Sequence, residues 1–181
     1  RTAPNPPVGA VLVRDGRIVS VGALPPPEGA RVVDLSGRFV IPGLINTHGH
    51  VTGYWASEEV TDPAERMAED LRLYARYGVT TVSSLGGAPP EAAAVRAAQG
   101  ELPITRARLL YAGPVIVAQT EREAREAVRA VAGLVPDWIK IRVDDNLGTT
   151  DPMPWEAVAG VFAEADARGL PVATHVYYLS D

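Results

Sequence analysis

Short apolar runs separated by turn residues occupy the chain up to residue 41, a pattern typical of strands. Asp15-Gly16 lies between two β-branched runs and predicts a tight hairpin turn. Three prolines at 25–27 interrupt the pattern, which then resumes. The strands predicted here are 8–13, 18–22, 31–35 and 38–40. Together they indicate a small antiparallel sheet that precedes the main domain.

From Pro42 onward, strand-like and helix-like segments alternate, which favours parallel βα units. Thr120 and Glu123 have the spacing of a capping box, and glycines close several helical runs. The predicted strands are 44–50, 79–85, 108–117, 138–143 and 171–177. The predicted helices are 61–78, 90–100, 120–133 and 154–168.

Five βα units in sequence predict an α/β fold, a (β/α)8 TIM-type barrel truncated after its fifth strand. Residues 1–41 would form an N-terminal segment of a small β-sandwich, and residues 42–181 the first five barrel units. A doubly wound open sheet is the competing architecture. No Gly-x-Gly-x-x-Gly fingerprint follows the first strand, so the barrel is favoured.

Composition narrows the function classes. The chain has 181 residues, 46% hydrophobic, with a net charge of −5 and no cysteine. Scattered arginines argue against nucleic acid, and no apolar run reaches the roughly 20 residues of a membrane span. Without thiolates, a metal would need nitrogen and oxygen ligands, as in catalytic sites of zinc, manganese, iron or cobalt. A cytoplasmic location is favoured over export, which stays open because the chain does not begin with methionine.

Lys140 is the only lysine, whereas the other sixteen basic residues are arginines. It lies in the apolar run 138–143. A lysine amine in a buried site can lose its proton and act as a nucleophile, which a guanidinium cannot do. Chance survival of one lysine is the alternative explanation for this position.

The three histidines also lie at or within apolar strands. His48 and His50 are two residues apart, so in an extended segment their rings project to one face. His175 ends the run 171–176. Neutral imidazole is the commonest protein metal ligand. The three histidines and Lys140 therefore predict a catalytic metal centre at the carboxyl ends of barrel strands.

The run 40–50, VIPGLINTHGH, resembles the opening motif of the amidohydrolase superfamily, PGLIDxHxH. Residues 138–145 resemble that superfamily's fourth barrel strand, where many members carry a carboxylated lysine that bridges two metals. His175 resembles the fifth-strand histidine ligand. Imidazolonepropionase-like and prolidase-like members are nearest. Asn46 stands where the motif has aspartate. This puts in doubt one contact that supports the histidine ligands from outside the coordination shell of the metal.

The resemblance implies that His48, His50, His175 and Lys140 bind two divalent ions, with zinc expected and manganese, iron or cobalt as alternatives. Lys140 would be the catalytic residue, as a bridging carbamate. The metals would lower the pKa of a water molecule toward about 7 for attack on a carbonyl carbon. In a one-metal relative, Lys140 would instead pair with Asp144 or Asp145.

The implied activity is hydrolysis of non-peptide carbon–nitrogen bonds in a small molecule. Tyr54, Tyr177 and Tyr178 follow strand ends and are candidate substrate-binding residues, although packing roles are equally common for aromatics. The sixth-strand histidine and eighth-strand aspartate of the superfamily have no counterpart in the sequence. We therefore expect an N-terminal part that needs the other half of the barrel or a homo-oligomer partner. A one-metal deaminase and an inactive binding or scaffold fragment are the alternatives.

Overall fold

The computed structural model describes residues 9–100 and 105–178. The chain divides into two compact units, one ending at Ile41 and the other beginning at Pro42. Among the described residues, no helix combines the length and apolar character needed to span a membrane.

The first unit is built on one antiparallel hairpin, with β1 at Ala10–Arg14 and β2 at Arg17–Gly22. Asp15 and Gly16 have φ values of 49° and 72°, the left-handed pair that a tight hairpin turn requires. The predicted turn is therefore confirmed.

Two of the strands predicted in the first unit are wrong. Residues 31–35 and 38–40 are described without strand structure. A strand exists only when its backbone groups pair with a neighbour, and no described strand pairs with these segments. The hairpin is thus the sheet that the described residues of this unit form, and the β-sandwich stays a prediction.

In the described part of the second unit, five strands run parallel to their neighbours. Their bounds are β3 Leu44–Gly49, β4 Val79–Ser84, β5 Arg108–Tyr111, β6 Ile139–Arg142 and β7 Val172–His175. β3, β4 and β5 form one sheet, β6 and β7 another. Single parallel bridges from Ala112 to Trp138 and from Ile116 to Ile141 join β6 to the segment after β5. The predicted strand 108–117 is shorter because Gly113 and Pro114 interrupt it.

Four helices of the same described residues alternate with these strands. They are α1 Pro63–Arg76, α2 Ala92–Ala97, α3 Glu121–Ala132 and α4 Trp155–Asp166, and a short 3₁₀ turn at Ala98–Gly100 follows α2. The Thr120 hydroxyl accepts a hydrogen bond from the Glu123 N–H, which confirms the predicted cap. The Glu123 carboxylate accepts from the N–H of Gln119 at 3.0 Å, so the box reaches one residue further back.

β6 separates a core side from a site side. Ile139 and Ile141 are fully buried in a cluster with Ala124, Val128 and Val161 of the outer helices. Because side chains alternate along a strand, Lys140 and Arg142 lie on the opposite face. A second cluster joins α1 and α2 to β4 and β5 around Met67, Leu71, Val82, Val95 and Leu109.

An ion-pair cluster fastens α3 to α4 on the outside of the sheet. Glu164 is nearly buried, and its carboxylate accepts hydrogen bonds from Arg129 at 2.9 and 3.0 Å and from Arg168 at 2.9 and 3.1 Å. These two guanidinium groups lower the pKa of Glu164 to about 2. Arginines that pack against this outer face therefore have carboxylate partners.

Candidate metal centre

The predicted ligands lie at or near the carboxyl edge of the parallel strands. His48 is the fifth residue of β3, and His50 directly follows that strand. Lys140 is the second residue of β6, and His175 is the last residue of β7. The rings of His48 and His50 have centroids 5.6 Å apart. The edge of the sheet is thus where chemistry-bearing side chains collect, as in barrel enzymes.

His50 is oriented by the backbone after β4. Its Nδ1 lies 3.0 Å from the carbonyl oxygen of Gly86. Because a carbonyl oxygen only accepts, Nδ1 must carry the hydrogen in this contact, which leaves Nε2 with the free lone pair. The Gly86 carbonyl therefore selects the tautomer that a metal-binding imidazole with a free Nε2 needs. Sequence reasoning missed this role of Gly86.

Gly86 leaves no room for a side chain. Its φ is +100°, and an added Cβ would lie 2.7 Å from Cγ2 of Val115 and 3.6 Å from Cγ of Lys140. The glycine therefore allows the close approach of the strand end to Lys140.

We expect Gly86→Ala to destabilise the protein by about 2–4 kcal/mol, from backbone strain and the contact with Val115. Gly87 is a matched control, since its φ is also positive at +71° but a Cβ there meets no atom within 4 Å. Gly87→Ala should cost only about 1 kcal/mol. Chemical denaturation measures both, and equal losses in the two variants would contradict the contact with Val115.

Asn46 supports His48 through the backbone. Its side-chain oxygen accepts a hydrogen bond from the N–H of His48 at 3.1 Å. The residue that departs from the motif's aspartate therefore still fixes the strand at the first histidine.

The positive charges that act on His48 are those of the other candidate ligands. The pKa of His48 is lowered, first by desolvation and then by the positive charges of Lys140, His50 and His175. A lowered pKa keeps the imidazole neutral, the form that donates a lone pair to a metal.

Lys140 is buried, with 4% of its surface exposed. Desolvation lowers the pKa of its amine, and the nearby charge of Asp144 opposes that shift. Among the residues that the structure describes, no carboxylate lies within ion-pair distance of this amine. The ion pair of Lys140 with Asp144 or Asp145, expected for a one-metal relative, is therefore not formed here.

Asp144 faces His175 instead. Its side chain is fully buried, and Oδ2 lies 3.7 Å from Nε2 of His175 without accepting a hydrogen bond. Oδ1 accepts the N–H of Asn146 at 2.8 Å, which closes a turn after β6. Asp144 is thus both the loop cap that its position suggests and the acidic neighbour of one candidate ligand.

The residue types of the candidate ligands suit a divalent ion, but their described positions do not form a complete coordination site. Across residues 9–100 and 105–178, no three histidine, cysteine, aspartate or glutamate side chains are grouped closely enough to hold a metal ion. Nitrogen donors from His48, His50 and His175 suit zinc and its neighbours in the transition series. Lys140 is the residue among these donors that can add oxygen ligands, as a carbamate.

The three tyrosines differ in their surroundings. Tyr177 packs edge to face on the ring of His175, with centroids 5.1 Å apart. The Tyr178 hydroxyl donates to a carboxylate oxygen of Asp145 at 3.3 Å. Tyr54 packs against Trp55 and is 75% exposed. Tyr177 therefore directly contacts a candidate ligand, and substrate binding by all three tyrosines stays a prediction.

A buried carboxylate holds the loop that follows the first histidine pair. Asp70 of α1 is 1% exposed and accepts backbone N–H groups from Thr52 at 3.2 Å, Gly53 at 2.7 Å and Trp55 at 3.0 Å. The helical pattern of α1 gave no signal for this role, because its partners lie 15–18 residues away. Asp70 fixes the chain directly after His50.

Parallel strands that carry histidines and a buried lysine at their carboxyl edge define an α/β protein with a candidate hydrolase-type metal centre. Residues 39–181 match the model of the Amidohydrolase family. The chain belongs to this family, which confirms the resemblance drawn from the motif.

Named relatives agree with this assignment. The chain is 30% identical over 193 residues to 5-methylthioadenosine/S-adenosylhomocysteine deaminase of Natronomonas pharaonis, covering 92% of this chain and 43% of that protein. It is 29% identical over 222 residues to imidazolonepropionase of Mesorhizobium japonicum, covering 96% and 54%. The chain thus spans about half the length of these relatives, or less.

A solved structure shares the fold. The crystal structure of phenylurea hydrolase B matches with a TM-score of 0.76 and 23% identity, covering 91% of this chain and 50% of that one. The similarity shows a shared fold, and together with the family match it confirms the predicted fold class at the level of an amidohydrolase-type α/β fold.

Proposed function

We propose that the protein is a metal-dependent hydrolase of non-peptide carbon–nitrogen bonds. The observation that carries this proposal is the burial of Lys140, the only lysine of the chain. The positive charge of its amine is one cause of the lowered pKa of His48. Burying an amine without a carboxylate partner costs free energy, so the position indicates chemistry rather than stability.

His48, His50, Lys140 and His175 would hold the metal, with two zinc ions as the proposed occupancy. When bound, divalent ions would polarise the scissile carbonyl and lower the pKa of a water molecule from about 15.7 toward about 7. His50 contributes Nε2, because Gly86 engages Nδ1. The lowered pKa of His48 keeps its ring neutral for the same purpose.

Lys140 supplies oxygen ligands only after modification. Its neutral amine would attack the carbon of carbon dioxide, form the N–C bond and release one proton, which gives a carbamate anion. Desolvation, which lowers the pKa of this amine, raises the neutral fraction that can react. Neither arginine nor methionine can follow this route.

A deaminase of the same family is the second candidate, favoured by the 30% identity to the Natronomonas pharaonis deaminase. Such an enzyme would use one metal and an unmodified Lys140. The two candidates therefore differ in metal count and in the state of this amine.

Metal analysis of the full-length protein, with carbon NMR after supply of labelled bicarbonate, tests the proposal. We expect about two divalent ions per chain and a carbamate carbon signal, and both should fall in Lys140→Met. One ion without a carbamate signal would favour the deaminase. Absence of stoichiometric divalent metal would overturn the metal-dependent hydrolase.

A further inference from the structure

Arg142 occupies the site side of β6 at the carboxyl edge. It is the last residue of that strand, two positions beyond Lys140. In the parallel register of β6 and β7, it pairs with His175. Since paired residues on adjacent strands project to the same side, Arg142, Lys140 and His175 share the face that carries the candidate metal centre.

Among the described residues, the guanidinium group of Arg142 has no anionic partner. Its one hydrogen bond to the described residues runs from Nη2 to the Thr150 hydroxyl at 3.3 Å, and its buried Nε donates to no acceptor. No carboxylate of residues 9–100 and 105–178 lies within ion-pair distance of it.

The other half-buried arginines among the described residues have a carboxylate or a backbone carbonyl as acceptor for the guanidinium group. Arg96 makes a bidentate contact with Asp137, at 2.7 and 2.5 Å. Arg66 donates to the backbone carbonyl oxygen of Val60 at 2.9 Å. Arginine supplies nearly all the positive charge of this chain, so its presence at 142 is uninformative by itself. The informative observation is that the buried Nε of Arg142 has no acceptor among the described residues.

The nearest acidic residues along the chain face groups other than Arg142. Asp144 directs one carboxylate oxygen toward His175 and the other to the N–H of Asn146. The carboxylate of Asp145 accepts the hydroxyl of Tyr178. A half-buried guanidinium therefore remains open to an external acceptor on the site face.

We propose that Arg142 binds a carboxylate group of the substrate, beside the bond that is hydrolysed. This inference rests on the proposed function, because it assigns a substrate class to the same site. A planar guanidinium can donate two parallel hydrogen bonds to a carboxylate. A singly charged carboxylate suits this position better than a doubly charged phosphate, because Asp144 and Asp145 follow directly in the sequence.

Isothermal titration calorimetry with matched probes tests the assignment without requiring turnover. The probes are N-acetyl-L-amino acids, their neutral amides and inorganic phosphate. The full-length protein should bind the carboxylate probes about tenfold more tightly than the amides. Arg142→Met should bind the two kinds equally, and Arg142→Lys should keep only part of the preference. Circular dichroism would report whether the variants fold.

Arg122→Met is the matched control, because Arg122 lies exposed on α3 and pairs with Glu126 there. It should retain the full preference. No preference for carboxylate in the wild type, including no binding of either organic probe, would overturn the inference. A preference for carboxylate over amide probes that survives in both Arg142→Lys and Arg142→Met would also overturn the inference. Tighter binding of phosphate than of the carboxylate probes would do the same. A protein that prefers carboxylates but holds no metal would refute the proposed hydrolase and leave this binding site standing.

Discussion

Replacement of Lys140 by methionine is expected to remove turnover and, in metal-free protein, to leave the fold at least as stable as that of the wild type. Loss of the amine should reduce kcat by about 10³-fold or more, since no carbamate can form. Methionine fills a similar volume without a buried charge, so in metal-free protein the free energy of unfolding should not fall. Steady-state kinetics on any carbon–nitrogen substrate of the wild type, with thermal unfolding, measures both effects.

The pH dependence of stability gives a second, independent readout in metal-free protein. Desolvation lowers the pKa of Lys140 in the folded state below the ordinary 10.5. Between the folded pKa and 10.5 the unfolded chain binds more protons, so stability rises with pH through this window. The wild type should therefore gain stability relative to Lys140→Met as pH rises toward 10.5.

Lys140→Arg is the matched control for this prediction. It keeps the positive charge but cannot lose its proton, so turnover should fall as in the methionine variant. Because a charged guanidinium would be buried without a carboxylate, stability should also fall. Retained turnover in the arginine variant would contradict a role for the neutral amine.

Asp70→Ala is expected to cost about 3–5 kcal/mol in unfolding free energy, the largest stability effect predicted for the chain. The substitution leaves the N–H groups of Thr52, Gly53 and Trp55 without their acceptor. Two of these contacts are part-buried and the one to Gly53 is buried, so water replaces the carboxylate poorly. Urea denaturation measures the loss.

Glu69 provides a comparison on the same helix. Its carboxylate accepts one exposed backbone N–H, from Ser57 at 3.0 Å. Glu69→Ala should therefore cost less than about 1 kcal/mol. Similar losses in the two variants would show that the buried network around Asp70 contributes little.

Local chemistry explains which elements the sequence predicts well. The turn at Asp15 and Gly16 and the cap at Thr120 depend on residues that lie within three positions of each other. The strands proposed at 31–35 and 38–40 have suitable residues, but a strand also needs a paired neighbour. Apolar β-branched runs alone carry no information about that neighbour.

The residues of the candidate site also fall into two groups, those that the sequence identifies and those whose roles only the structure reveals. His48, His50, Lys140 and His175 stand out because their residue types are rare in this chain. Gly86, Asp70 and Asp144 do not, since glycine and aspartate are common and their roles come from contacts made by folding. The Gly86 carbonyl meets a ring 36 positions earlier, and no local pattern encodes such a contact.

The network around Asp70 has a consequence for recombination among related proteins. All of its acceptors and donors lie between residues 52 and 70, so the geometry of this loop travels with one short stretch of sequence. A chimera that exchanges residues 51–70 as a block would carry the loop with its own anchor. A crossover between Trp55 and Asp70 would separate the donors from their acceptor, so the natural unit of exchange is the loop together with its helix.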